Sequence, residues 1–168
     1  MSYRASQEGS YLVRTFDDDR YAWARRSTAR RRLVLVEATL IGALVALGAV
    51  AAVVDRRWST WYLVAWAVGL VAFIPLHAFL NLGIRGLYDR AGRTLDEHQR
   101  QLRDESYIAV RLPSIVLTFA AIAAAVATVA RTGEAALGLA IGFLLWLGAG
   151  LLPYWHLAWI LPDEENGS

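Results

Sequence analysis

Four long apolar runs, at residues 33–54, 59–82, 113–130 and 135–161, leave this chain few ways to fold. Crossing a hydrocarbon core about 30 Å thick takes roughly 18–20 apolar residues in a helix, and each run meets that length. Inside lipid the backbone must satisfy its own hydrogen bonds, which makes such runs helices and not open strands. The alternative, a buried helix in a soluble domain, needs other chain to cover it. Four such runs leave too little of the 168 residues for that, and a hydrophobic content of 57% is too high for a soluble domain of this size. The expected fold is all-α and polytopic: four transmembrane helices as two antiparallel hairpins. A polar connector helix at 83–112 joins them, with a segment at 1–32 before and a tail at 162–168.

The links fit that expectation. Asp55, Arg56, Arg57 and Trp58 make one tight charged turn, and Arg131, Thr132, Gly133 and Glu134 make another. Trp58, Trp61 and Tyr62 mark one boundary and Tyr154, Trp155 and Trp159 another, as amphipathic rings do at headgroup level. Eight arginines precede the first run and six lie between Arg85 and Arg111, against Arg56, Arg57 and Arg131 in the short turns. The positive-inside rule then expects both termini and the connector in the cytoplasm, with the protein in a plasma (inner) membrane.

Before the first run, Asp17, Asp18 and Asp19 suit a helix N-terminus, whose dipole favours carboxylates. A helix from Arg20 would carry Tyr21, Trp23 and the arginines Arg25, Arg26, Arg30, Arg31 and Arg32 at the membrane interface. These five are candidate ligands for anionic lipid, or else fix orientation alone. Ala49-Val50-Ala51 resembles a signal-peptide cleavage site, but the polar region before it is too long, and the first span is expected to be retained.

Small residues recur four apart, as Gly42 with Ala46, Gly48 with Ala52 and Gly138 with Gly142, so helices can approach closely within one chain or in a homodimer. The second and fourth runs each place a proline two or three residues before a histidine, Pro75 before His77 and Pro153 before His156. Each proline frees a carbonyl four residues earlier for another donor.

In the connector, Thr94 and Glu97 have capping-box spacing, so a helix is expected from near Leu95, with Pro113 bending or separating it from the third span. Leu95 and Leu102 form a stripe, and Asp96, Arg100 and Asp104 an i, i+4 charge ladder. These five residues are the expected docking surface for a protein partner.

The run from Thr94-Leu95-Asp96-Glu97-His98 to Arg103-Asp104-Glu105-Ser106-Tyr107 resembles a segment of small actinobacterial membrane proteins, with pattern L-D-E-R-x-R-x-x-R-D-x-A-Y. The tail Leu157-Ala158-Trp159-Ile160-Leu161-Pro162-Asp163 resembles their L-A-W-x-x-P-D ending. His98 stands where that family has arginine, and Ser106 where it has alanine. The resemblance implies location and architecture, and no activity.

Chemistry-bearing motifs are few. With no cysteine there is no thiolate chemistry, and a net charge of +2 gives no reason to expect nucleic acid. No HExxH, P-loop or GxGxxG occurs, so an enzyme is not expected. Glu37, His77, Asn81, Arg111 and His156 fall near one depth in the expected topology and form a candidate polar cluster, in which Glu37 would pair with Arg111 or a histidine. No cofactor is expected; haem b held axially by His77 and His156 is the less favoured option. A membrane-embedded Glu37 on the first of four helices also resembles small multidrug resistance transporters, although this chain is longer and its carboxylate shallower. The leading expectation is a non-catalytic scaffold or regulatory subunit; the alternative is a small dimeric proton-coupled transporter.

Overall fold

The computed structural model describes residues 19–54, 56–88 and 95–162, and these residues contain helices and no strand. A 3-10 helix, Asp19–Arg25, leads into α1 (Ser27–Ala51), α2 (Arg56–Gly83), α3 (Glu97–Ala109), α4 (Arg111–Thr132) and α5 (Ala135–Ile160). All but α3 are long and apolar enough to cross a membrane, and at 1.5 Å per residue the shortest spans about 33 Å. The protein is thus all-α with four candidate spanning helices, as expected.

Their outer faces are bare. Val64, Val68, Val71 and Ile74 on α2, and Val116, Phe119, Ile122 and Val126 on α4, form helical stripes more than half exposed. In water such stripes would be an aggregation liability, whereas against lipid they are an ordinary outer surface. Burial within the chain is 6% over the most apolar window of α4 and 44% over that of α5, so α5 is the helix most covered by protein.

Several boundaries differ from expectation. The first spanning helix starts at Ser27, so Arg30, Arg31 and Arg32 ride on it, where a separate interfacial helix from Arg20 was expected. The 3-10 turn ends at Arg25, before the long helix begins. Pro113 separates the connector helix from the third span, as expected: its ring and missing N–H bar a bond to the carbonyl of Ala109, the last residue of α3. It sits in the first turn of α4, where a missing N–H breaks no bond of that helix, and the break from α3 falls at Val110. Gly133, left-handed at φ 73°, closes α4, its N–H returning to the Val129 carbonyl. Asp17, Asp18, Asp55, Thr94, Asp163 and Glu164 lie outside the described residues.

Contacts group into two units. One comprises the described residues up to Val34, His77–Ala109 and those from Pro153 on. Leu80, Ile84, Leu87, Leu95 and Leu157 form its core. There α2 closes against the 3-10 helix at Gly83, where a Cβ would stand 2.7 Å from the Ala24 carbonyl.

The other unit comprises Leu35–Leu76 and Val110–Leu152, around Ala51, Tyr62, Leu137, Ala140 and Ile141. Within it α4 and α5 pack through small residues: a Cβ on Gly138 would lie 2.7 Å from the Ala125 carbonyl, and one on Gly142 3.0 Å from that of Ala121. Gly48 fits against Tyr62 and Ile141 in the same way, whereas Gly42 faces open space. Of the two small-residue pairs on α1, that with Gly48 serves packing inside the chain.

Candidate functional site

Arg30 is 2% exposed. Its Nε donates to the Ala158 carbonyl at 3.2 Å, and one terminal nitrogen donates to the carbonyls of Leu161 and, at 3.0 Å, Pro162. The other terminal nitrogen donates to the Arg25 carbonyl. The last turn of a helix leaves carbonyls without N–H partners and carries partial negative charge, so a guanidinium fork satisfies both needs. The sequence offered Arg30 and Arg25 to lipid. Both are buried, Arg25 at 6% exposure, and the Arg30 guanidinium is spent on backbone carbonyls. Arg26, Arg31 and Arg32 remain exposed. Arg31 lies over the Trp159 ring, 5.2 Å from its centroid.

The connector helix is capped by residues other than those expected. Asp96 Oδ1 accepts from the Gln99 N–H at 2.7 Å, and Gln99 Oε1 accepts from the Asp96 N–H at 3.4 Å. This reciprocal box sits two residues beyond the expected Thr94–Glu97 pair, and α3 starts at Glu97 accordingly. Its apolar stripe turns inward: Leu95 is 4% exposed, and Leu102 packs against the same core. These two leucines are therefore corrected from docking residues to core residues. Asp96 and Asp104 stay exposed and Arg100 is half-buried. It is Arg103 whose Nε approaches Asp104, at 3.5 Å.

Ser106, fully buried on α3, donates to the Leu102 carbonyl at 2.9 Å. The same hydroxyl lies 3.3 Å from His156 Nδ1, within hydrogen-bond distance. Beside it the Tyr88 hydroxyl donates to the Pro153 carbonyl at 3.0 Å. The Tyr88 ring meets Tyr154 at 4.2 Å and, edge-on, Tyr107 at 5.2 Å, while Tyr154 meets His77 at 5.1 Å. Burial holds the Tyr88 phenol neutral well above the ordinary tyrosine range, with the nearby Ser106 hydroxyl acting in the opposite direction.

The five polar candidates fall at these places. His77 and His156 face the tyrosine and serine partners just described. Glu37, fully buried, lies in the other unit. Arg111 belongs to that unit too, yet it is exposed as the first residue of α4 and makes no ion pair among the described residues, so the expected Glu37–Arg111 pair is absent. Asn81 is half-buried near the end of α2. No group of three or more histidine or carboxylate side chains placed to hold a metal occurs among the described residues.

The sequence reading missed Ser106 and Tyr88. Ser106 was visible as the residue standing where the resembled pattern has alanine, and it is the one that meets His156. Tyr88 carried no signal, because its partners lie far along the chain. Comparison with family models, curated proteins and solved structures finds no match for this chain.

Proposed function

We propose that this is a multi-pass plasma-membrane protein with both termini cytoplasmic, acting as a non-catalytic scaffold or regulatory subunit. The orientation rests on the arginine asymmetry of the loops. The docking reading rests on one observation about α3. Leu95 just before it and its own Leu102 and Ser106 fix its inner face, while Glu97, Gln101, Asp104 and Glu105 lie exposed together with His98, Tyr107 and Ile108. A short helix anchored on one side and acidic on the other presents a rigid surface to a partner with a basic face, since complementary charge steers association and sets register. The test is crosslinking in native membranes with Glu97→Lys, Asp104→Lys and Glu105→Lys combined. Loss of the crosslinked partner with helicity intact supports docking; an unchanged crosslink pattern overturns it.

A second reading is favoured by Glu37, fully buried on a candidate spanning helix. Ionisable groups inside spans mark ion and proton pathways. In that reading the chain is a small proton-coupled transporter. Proton-coupled flux in liposomes, abolished by Glu37→Gln, is its signature, and absence of flux from the wild-type chain removes it.

A further inference from the structure

The five arginines around the start of α1 divide into two chemical roles, and the exposed ones stand in a particular setting. Arg26, Arg31 and Arg32 are exposed, and Trp23, Trp159 and Ile160 of the same unit are each more than 40% exposed. Arg31 is held in place. Its guanidinium lies over the Trp159 ring at 5.2 Å, and one terminal nitrogen reaches toward the Trp159 carbonyl at 3.5 Å. Trp23 is braced in turn by Phe79, with ring centroids 5.5 Å apart.

We infer that Arg26, Arg31 and Arg32, with Trp159 positioning Arg31, form a binding site for the phosphodiester headgroup of an anionic phospholipid. Three observations favour a lipid over a soluble anion. The cations lie at the N-terminal end of one candidate span, Ser27–Ala51, and Trp159 near the C-terminal end of another, Ala135–Ile160. Exposed indole rings beside them are the side chains that settle at headgroup depth. Exposed Ile160 adds an apolar contact that acyl chains satisfy and a free phosphate does not. Stacking on Trp159 occupies one face of the Arg31 guanidinium and leaves in-plane N–H donors for a phosphate, which an arginine fork binds in bidentate fashion.

The experiment titrates phosphatidylglycerol and phosphatidylcholine separately into the detergent-solubilised full chain and counts bound lipids by native mass spectrometry. Wild type is expected to prefer phosphatidylglycerol, and Arg26→Gln, Arg31→Gln and Arg32→Gln together to lose about a hundredfold in its affinity, from roughly fivefold per arginine at a membrane surface. Trp159→Ala, which changes no charge, is expected to lower the preference severalfold, Trp159→Phe to keep most of it, and Arg31→Lys to lose part of it. Excess glycerol 3-phosphate is expected not to displace the lipid. Equal binding of the two lipids, wild-type affinity in the triple glutamine variant with native helicity, or full displacement by glycerol 3-phosphate would overturn the site. If the triple variant fails to fold, wild-type preference in both Trp159→Ala and Arg31→Lys overturns it as well.

Discussion

The hydroxyl of Ser114 donates to the carbonyl of Ala149 at 3.2 Å. Ala149 lies four residues before Pro153, so its carbonyl is the one that proline leaves without an N–H partner. The sequence foretold a freed carbonyl, and α4 supplies the donor. Ser114→Ala is expected to cost about 1 kcal/mol in the native chain. In a Pro153→Ala background, where the N–H is restored, the same change should cost nearly nothing. Unfolding in detergent across the four variants measures the coupling, and additive effects would contradict the assignment.

Arg30 should be among the most sensitive positions. Arg30→Met removes the donor from the carbonyls of Ala158 and Pro162, at a cost of about 3 kcal/mol, the scale of one or two charge-assisted bonds. Arg31→Met should cost less than about 1 kcal/mol, since its stacking is exposed. Amide exchange at residues 157–162 reports the difference directly.

Two tyrosines should respond oppositely to loss of their hydroxyls. Tyr88→Phe forfeits a bond to the Pro153 carbonyl and should destabilise by about 1 kcal/mol. The Tyr62 hydroxyl is buried with no hydrogen-bond partner among the described residues, so Tyr62→Phe should be neutral or stabilising. Equal losses in the two would contradict the hydrogen-bond assignment.

Tyr88 also sets an alkaline limit. Burial raises its folded pKa above the ordinary tyrosine value of 10.0, so the native state holds its proton where the unfolded chain has lost it. The associated stability is complete below that value and declines as pH rises above it. Tyr88→Phe should flatten this alkaline decline in stability measured against pH.

Glycines on α5 should separate by position. Gly138→Ala drives a Cβ toward the Ala125 carbonyl and should cost about 1–3 kcal/mol. Gly150 has open space, so Gly150→Ala should be neutral or up to about 1 kcal/mol stabilising. Thermal unfolding in one detergent ranks the pair.

Span number and helical class were legible because lipid imposes length and internal hydrogen bonding at the level of single segments. What failed depended on which way a side chain turned. Leu95 and Leu102 were recognised as a stripe, but periodicity does not say whether a stripe meets a partner or the chain's own core. Arg30 belongs to a basic run that reads as interfacial throughout, and nothing local distinguishes it from Arg31; three of its four carbonyl partners lie some 130 residues away. The Asp96–Gln99 box has the same spacing as the Thr94–Glu97 pair, so spacing alone does not choose between them. Ser106 and His156, fifty residues apart, meet only once α3 has docked.

Three of the four carbonyls that hold Arg30 are made 128 and more residues after it. During synthesis this guanidinium must therefore stay hydrated or borrow other acceptors until nearly the whole described chain has emerged. A message truncated before codon 158 would yield an α1 whose Arg30 guanidinium keeps only the Arg25 carbonyl of these four.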